Sequence, residues 1–298
     1  MDARHQPVLL AEVLEWLAPR DGGIYVDGNL GLGGHSAKIL EASAPHGRLV
    51  AFDWDAAAMA IARERLAGFG DRVHFVRRNF AAIGDTLAEL GVGKVDGILL
   101  DLGLSSLQLD ESGRGFTFKG SEPLDMRMDD RGGKTAADLL NTASQDELAD
   151  IFYYYGEERQ ARPIAARIVE ARRSEAFVAT EQLVKVVEWA VPKRFHPKKI
   201  HVATKVFQAL RIAVNGELEN LARVLADGAG LLAPGGRFCV ISFHSLEDRL
   251  VKQAFHDNPA LRVLTRKPIV AGAGELAVNP RARSAKLRVA ELGRGDNA

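Results

Sequence analysis

The chain has 298 residues, of which 47% are hydrophobic and 26% are charged, a composition typical of a globular protein with a substantial core. Its 39 Lys and Arg residues balance its 39 Asp and Glu residues, which excludes a globally basic chain and leaves any nucleic-acid surface local. The single cysteine excludes an internal disulfide and a zinc site built from cysteines, and no metal site is predicted elsewhere.

No candidate membrane anchor is found along the sequence. The segment MDARHQPVLL lacks the layout of a signal peptide, and no apolar run is long enough to span a bilayer. We therefore expect a cytoplasmic protein.

Strands and helices alternate over the first hundred residues. The hydrophobic periodicity predicts helices at 7–19, 35–44, 56–69 and 83–91. It predicts strands at 23–28, 47–55, 72–80 and 95–103. The pattern resumes later with a helix at 217–236, a strand at 237–245, a helix at 246–255 and a strand at 284–292. This alternation predicts an α/β fold with a parallel sheet covered on both faces.

The stretch from 108 to 205 is too long for a single crossover connection. It contains helical segments of its own at 135–141, 144–156, 161–174 and 180–191. We therefore predict a discontinuous α/β domain, formed by 1–107 and 206–298, with a helical subdomain at 108–205 inserted after the fourth strand.

The segment VDGNLGLGGHS, residues 26–36, predicts a strand that runs into a glycine-rich loop and then a helix. Gly31, Gly33 and Gly34 permit positive φ angles and a close approach of a ligand to the backbone. The helix N-terminus that follows offers unpaired N–H groups. The G-x-G-x-x-G pattern of dinucleotide-binding loops fails, because Ser36 occupies its last glycine position.

Three acids favour one class of cofactor for this loop. Asp27, Asp53 and Asp101 end the first, second and fourth predicted strands, so the fold brings them to one edge of the sheet. Asp53 is suited to binding ribose hydroxyls. A carboxylate at Asp27 would repel a pyrophosphate but suits a cofactor that carries a cation. S-adenosylmethionine carries a sulfonium and an ammonium and no phosphate, so the acids favour a methyl donor over NAD.

The segments DGNLGLGGHS, PLDMRMD, FHSLEDR and NPRARS are specific sequence motifs. On these segments the chain closely resembles the bacterial 16S ribosomal RNA cytosine-N4 methyltransferases, the RsmH or MraW family, and the resemblance extends in family order from residue 7 to about 291. Departures from the usual family residues occur at Asn29, Trp54, Leu107, Val202 and Lys205.

The resemblance implies a Rossmann-like class I S-adenosylmethionine-dependent methyltransferase that methylates the exocyclic N4 of one cytidine in the decoding region of 16S ribosomal RNA. Carried over by position, the cofactor contacts are Gly33, Gly34, His35, Asp53, Phe80, Asp101 and Gln108, to which the loop and the acid argument add Gly31 and Asp27. His35 would offer a ring or backbone N–H to the methionine carboxylate. Phe80 packs either on adenine or in the core. Asp101 acts either as the catalytic acceptor for the target amine or as a cofactor ligand.

The RNA substrate requires a local cationic surface. The candidate phosphate-binding residues are Lys193, Arg194, Lys198 and Lys199 in PKRFHPKKIH, and Arg281 and Arg283, with Lys286 and Arg288, near the C-terminus. The expected partner is 16S ribosomal RNA within the small ribosomal subunit, and a homodimer stays open. Two other functions stay open: a non-catalytic ribosome-binding factor on the same fold, and an NAD-linked oxidoreductase.

Overall fold

A computed structural model describes residues 6–110, 113–118 and 120–294. The chain divides into two compact units, one formed by 1–105 with 218–298 and the other by 106–217. The predicted boundaries were 107/108 and 205/206, so the larger difference lies at the second boundary. The helix Thr204–Asn215 belongs to the second unit because it packs against helices Ala136–Thr142 and Gln145–Tyr154.

Seven strands form the sheet of the first unit. In chain order they are β1 Ile24–Asp27, β2 Arg48–Phe52, β3 Val73–Val76, β4 Val95–Asp101, β5 Leu232–Ser242, β6 Leu261–Val263 and β7 Lys286–Leu292. The strand order across the sheet is β3-β2-β1-β4-β5-β7-β6. Strands β1 to β5 run parallel to one another, as the alternation of strands and helices predicts, whereas β7 runs antiparallel to both β5 and β6.

The helices lie close to the positions that the periodicity predicts. Within the described residues, they are α1 Leu10–Leu17, α2 Gly34–Ala42, α3 Ala56–Leu66, α4 Ile83–Glu89, α5 Ser106–Asp110, α6 Ala136–Thr142, α7 Gln145–Tyr154, α8 Ala161–Ala171, α9 Thr180–Ala190, α10 Thr204–Asn215, α11 Glu217–Leu231, α12 Ser245–Asp257 and α13 Ala273–Val278. None of them is both long enough and apolar enough to cross a membrane.

Two apolar clusters lie on opposite faces of the sheet. Along β1, Tyr25 belongs to one cluster and Val26 to the other, because successive side chains of a strand point to opposite faces. Helices α1, α2 and α3 contribute to the cluster that contains Tyr25. Helices α4, α11 and α12 contribute to the cluster that contains Val26. The sheet is therefore covered on both faces, which leaves its carboxyl edge to present polar side chains.

The sequence prediction is wrong at two strands. The helix predicted at 217–236 ends at Leu231, and β5 begins at Leu232 and includes the Pro-Gly-Gly run. This is possible because the pairing with β4 is irregular between Val95 and Gly97 and because Gly235 has a φ of 80°. Strand β6 was missed because three residues are too few to produce an alternating pattern, and only its pairing with β7 defines it.

The second unit is helical. Two of its helices begin with a capping box, in which Thr135 and Asp138, and likewise Ser144 and Glu147, exchange hydrogen bonds between side chain and backbone. In the same unit, buried Asn215 on α10 donates to Met126 O at 2.8 Å and accepts from Met128 N at 2.8 Å. These bonds fix the PLDMRMD segment onto α10, and they explain why α10 belongs with the inserted helices.

A buried ion pair links α12 to β7. Asp248 Oδ1 accepts from Arg288 Nε at 2.6 Å, and Asp248 Oδ2 accepts from Lys286 Nζ at 3.1 Å. The pKa of Asp248 is lowered because its hydrogen bonds to Arg288 and Lys286 outweigh the effect of burial. The prediction that Arg288 binds RNA phosphate is therefore wrong, since its side chain is only 8% exposed and faces Asp248.

We expect Asp248→Ala to lower the free energy of unfolding by about 3 kcal/mol, because the Arg288 guanidinium would stay buried without its counter-charge. Chemical denaturation with urea measures the change. Asp257→Ala is a matched control, because Asp257 lies on the same helix but its side chain is 61% exposed. The control should change stability by no more than about 0.5 kcal/mol. Equal losses in the two variants would contradict a structural role for the Asp248 pair.

Candidate functional site

Asp27 ends β1 and is almost completely buried, with an exposed fraction of 1%. Its Oδ2 accepts from Ser36 Oγ at 2.7 Å, and its Oδ1 accepts from the backbone N–H of Asn29 at 3.2 Å. Burial raises the pKa of Asp27 to about 6 despite these hydrogen bonds. The serine that breaks the dinucleotide pattern therefore has a structural reason, because its hydroxyl is a partner of this carboxylate.

Asp53 follows β2 and connects the glycine-rich loop to the start of α3. Its Oδ2 accepts from Gly31 N at 2.8 Å, and its Oδ1 accepts from Asp55 N at 2.9 Å. Burial raises the pKa of Asp53 to about 7, and the negative charges of Asp55 and Asp27 add to that effect. A residue predicted as a ribose ligand thus also holds the loop in place.

Asp101 ends β4, which lies next to β1 in the sheet. Its Oδ2 lies 3.5 Å from His35 Nδ1, whereas its Oδ1 is enclosed and has no hydrogen-bond partner among the described residues. Burial raises the pKa of Asp101 well above its usual range, and the negative charges of Asp27 and Glu247 add to the shift. Asp101 therefore has one oxygen beside His35 and one enclosed oxygen without a donor in the described part of the chain.

Glu247 is a fourth acid near this edge, and the sequence analysis did not assign it to the site. It is 2% exposed and lies on the first turn of α12, where it accepts from the backbone N–H groups of Phe243 at 2.8 Å and His244 at 3.2 Å. The sequence feature that could have predicted Glu247 as a site residue is its position shortly after β5, in the FHSLEDR segment. Its proximity to Asp101 adds negative charge to the site.

The His35 imidazole is held between two protein groups. Its Nε2 lies 2.9 Å from the carbonyl oxygen of Val8, which can only accept, so Nε2 carries the hydrogen. Its Nδ1 then faces Asp101 Oδ2. The ring of His35 is therefore directed at Val8 and Asp101. Of the two options predicted for His35, a backbone N–H contact to the methionine carboxylate stays a prediction.

The glycines of the loop are required for different reasons. Gly33 has a φ of 76° and caps α2 without any side-chain hydrogen bond, as expected for a residue without a side chain. Gly34 must be small because a Cβ there would lie 2.4 Å from Pro7 Cγ. At Gly31 a Cβ would meet nothing nearer than 3.9 Å, so the space beside that residue is open.

The chemistry of these groups fits a cationic ligand. Three acids with raised pKa values are close together, and positive charge from a ligand would offset their repulsion. Two enclosed oxygens in the same region, Asp101 Oδ1 and Asn29 Oδ1, have no partner within the described part of the chain. A ligand with ammonium or hydroxyl donors satisfies such oxygens, whereas a phosphate would be repelled by the acids.

The two remaining predicted cofactor contacts are both buried. Phe80 follows β3, is 8% exposed and belongs to the core cluster beside Gly28, where a glycine Cβ would lie 3.1 Å from Phe80 Cβ. Gln108 lies on α5 and is 5% exposed, but it belongs to the second unit. The first unit therefore brings together Asp27, Asp53 and Asp101 with the glycine loop, while Gln108 belongs to the inserted part.

The predicted RNA-binding residues are exposed. Lys193, Arg194, Lys198 and Lys199 are exposed in the second unit. Arg281 and Arg283 are exposed on the 3-10 turn Pro280–Ser284 of the first unit. Lys286 and Arg288 differ from these because both bind Asp248. The candidate phosphate-binding residues are therefore the four cations of the second unit and, separately, Arg281 and Arg283 of the first unit.

The strand order, with β7 inserted antiparallel between β5 and β6, and the acids at the carboxyl edge define a Rossmann-like class I methyltransferase. Comparison with known families agrees with this class, since the model of the MraW methylase family matches residues 2–292. The chain belongs to the MraW methylase family. Membership of a methylase family argues against the alternative function of an NAD-linked oxidoreductase.

Curated relatives are similar over nearly their full length. A protein of Desulfotalea psychrophila named ribosomal RNA small subunit methyltransferase H is 61% identical over 293 residues, which cover 98% of this chain and 99% of that one. A protein of the same name from Geobacter sulfurreducens is 53% identical, with 98% and 99% coverage. Among solved structures, TrmN from Thermus thermophilus aligns with a TM-score of 0.48 at 14% identity, covering 98% of this chain and 50% of that one.

Proposed function

We propose that this chain transfers a methyl group from S-adenosylmethionine to the exocyclic N4 of a cytidine in the decoding region of 16S ribosomal RNA. The observation that carries the proposal is the enclosed Asp101 Oδ1 at the carboxyl edge of the sheet, which has no partner among the residues that the structure describes. Membership of the MraW methylase family and the small-subunit relatives support the ribosomal substrate. An unpartnered carboxylate oxygen also argues for an active enzyme over a non-catalytic binding factor.

S-adenosylmethionine supplies an electrophilic methyl group on a sulfonium. In the proposed complex Asp53 accepts from the ribose hydroxyls with the lone pairs that Gly31 and Asp55 leave. The N-terminus of α2 at Gly34 and His35 donates backbone N–H groups to the methionine carboxylate. Asp27 and Asp101 balance the positive charges, and Phe80 is the aromatic contact that the family resemblance assigns.

In this proposal Asp101 increases the nucleophilicity of the cytosine amine, which is weak by itself. The N4 lone pair is delocalised into the ring, and an acceptor on N4–H favours a pyramidal nitrogen whose lone pair is available. Asp101 Oδ1 accepts this hydrogen bond, while Oδ2 lies 3.5 Å from His35 Nδ1. As the N4–methyl bond forms and the methyl–sulfur bond of the donor breaks, the N4 proton would pass to Asp101 Oδ1, which leaves neutral N4-methylcytidine and the thioether product. The positive charge of the bound cofactor would keep Asp101 ionised until then.

The six exposed cations bind RNA phosphates in this proposal. Four of them lie on the segment 193–199 of the helical unit, and Arg281 and Arg283 lie on the first unit. Because the whole chain carries no net charge, its electrostatic affinity for free RNA is limited. We therefore expect the folded RNA of the small subunit to be a better substrate than free RNA.

A methyl-transfer assay tests the function directly. Unmodified small subunits and free 16S ribosomal RNA are incubated with the enzyme and labelled S-adenosylmethionine, and the nucleosides are then separated by mass spectrometry. The expected product is N4-methylcytidine at a single position, with subunits preferred over free RNA. A methyl group on another atom, or N4-methylcytidine that persists in cells lacking the protein, would contradict the proposal.

We expect binding of S-adenosylhomocysteine to release protons near pH 6.5, because its ammonium and ribose hydroxyls stabilise the ionised forms of acids whose pKa values are raised. Asp27 and Asp53, with pKa values of about 6 and about 7, are partly protonated there without a ligand. Affinity should therefore rise from pH 6 to pH 8 and then level off.

Titration calorimetry in two buffers of different ionisation enthalpy measures the proton count. The Asp27→Asn variant is the control, and it should lose its share of the proton release. Binding heats that do not depend on the buffer would refute the predicted coupling. NADH, run in parallel, should produce no binding heat.

A further inference from the structure

Two exposed aromatic rings of the second unit are each in contact with an arginine. Trp189 on α9 is 63% exposed, and the Arg167 guanidinium carbon lies 3.9 Å from its ring centroid. Phe195 is 48% exposed, and the Arg194 guanidinium carbon lies 4.8 Å from its ring centroid. Rings of this size usually contribute to a core or an interface. We call Trp189 and Phe195 the aromatic pair.

The backbone that carries Phe195 is fixed by two histidines. His196 Nε2 lies 2.9 Å from the carbonyl oxygen of Val191, next to the end of α9. His201 Nε2 lies 3.2 Å from Glu188 Oε1 on α9, and its Nδ1 accepts from Ala203 N at 3.2 Å. These contacts tie both sides of the segment to α9 or to the start of α10. Phe195 is therefore presented to solvent by an ordered loop.

The charge around Phe195 is positive. Lys193, Arg194, Lys198 and Lys199 are all exposed, and among the described residues none of them forms an ion pair. The nearby Glu188 is bound to His201. In a chain with no net charge, four such cations within seven residues form a distinct local positive surface.

We propose that the aromatic pair stacks on unpaired bases of an RNA strand whose phosphates bind Lys193, Arg194, Lys198 and Lys199. Alternation of cations with exposed rings is what single-stranded nucleic acid requires, because each base has a π face and each phosphate a charge. A duplex hides its base faces, so it would use the cations alone. The inference rests on the proposed RNA substrate and specifies which part of it this surface binds: an unpaired segment.

Two other exposed aromatics provide a matched control. Tyr153 and Tyr154 on α7 are 57% and 63% exposed, and their rings lie edge to face at 5.2 Å. No cation–π contact to either ring is found within the described part of the chain. They offer similar exposed area without the adjacent cations.

The first experiment is 19F NMR of the full-length protein labelled with 5-fluorotryptophan, which reports on Trp16, Trp54 and Trp189 separately. The Trp189 resonance, assigned with Trp189→Phe, should shift on addition of an unstructured pyrimidine 12-mer RNA. It should move much less with the same sequence as a duplex. Trp16 is the internal control, because its side chain should sense neither ligand. A Trp189 resonance whose chemical shift does not change on addition of the 12-mer would overturn the proposal.

Affinity measured by fluorescence anisotropy separates stacking from charge. Trp189→Ala and Phe195→Ala should each weaken binding of the 12-mer about tenfold, the loss expected for one stacked base. The duplex should bind these variants as it binds the wild type. Trp189→Phe should restore most of the affinity. The double variant Tyr153→Ala and Tyr154→Ala should bind the 12-mer normally, and an equal loss in this control would count against the aromatic pair.

Two further measurements separate the remaining outcomes. Sedimentation velocity distinguishes an interface between two copies of this chain: a dimer that Trp189→Ala converts to monomer would overturn the proposal. On small subunits, Trp189→Ala should raise KM with little change in kcat. If the wild-type enzyme does not methylate N4, only the proposed function is refuted. If the enzyme is active but Trp189→Ala leaves KM unchanged, only the proposed stacking is refuted.

Discussion

Replacement of Asp101 by Asn should reduce the rate of methyl transfer by about 10²- to 10⁴-fold, the range observed when a positioned acid–base or charge-stabilising group is removed. Asn keeps the shape of the side chain, so the fold should be retained. Its amide loses the negative charge and presents an NH₂ group on one side, which cannot accept the N4 proton. The effect should therefore be on kcat, with a smaller effect on cofactor affinity.

Single-turnover methyl transfer to small subunits measures this loss, and calorimetry with S-adenosylhomocysteine measures cofactor binding in the same preparation. Asp96→Asn is a matched control, because Asp96 lies near the other end of β4 and pairs with Arg20. It should methylate at the wild-type rate. Wild-type turnover by Asp101→Asn on its true RNA substrate would remove Asp101 from the mechanism.

The second large effect is expected for Asp53→Asn, which should weaken cofactor binding about 100-fold. Both carboxylate oxygens accept backbone N–H groups, from Gly31 and Asp55. An amide NH₂ in place of one oxygen would face an N–H group, so one bond is lost and the glycine loop is displaced. Charge-assisted hydrogen bonds contribute about 1.5–3 kcal/mol each, which is consistent with a change of this size.

Calorimetry with S-adenosylhomocysteine measures the loss at Asp53, and Asp55→Asn is the control. Asp55 lies two residues away and caps α3 by accepting from Ala57 N and Ala58 N, a role in which Asn is as effective as Asp. The control removes the same charge and should keep nearly normal affinity. If both variants lose affinity equally, the negative charge of this region matters rather than the contacts of Asp53.

The position of Asp27, Asp53 and Asp101 at one edge of the sheet could be predicted from the sequence, because it follows from local rules. Hydrophobic periodicity identifies β1, β2 and β4, and an acid at or just after the end of each is visible in the sequence. Parallel strands end at a common edge, so no knowledge of side-chain contacts is needed to bring these acids together. The family resemblance added the cofactor set and the substrate, which periodicity alone does not specify.

Contacts between distant parts of the chain could not be predicted in the same way. The ring of His35 is directed by Val8 and Asp101, residues 27 and 66 positions away, and nothing in the local sequence specifies that geometry. The inward orientation of Arg288 depends on Asp248, which lies 40 residues earlier. In isolation, a basic residue that binds phosphate and one that forms a buried ion pair have the same sequence signal.

The sequence by itself determined the α/β class, the glycine loop, the acids at the strand ends and the position of the helical insert, because strand and helix periods and turn chemistry act over a few residues. Only the tertiary structure decided the orientation of His35, the partner of Asp27, the exposure of Trp189 and the assignment of α10 to the second unit. These depend on packing and hydrogen bonds between residues distant in sequence, and such contacts exist only once the chain is folded.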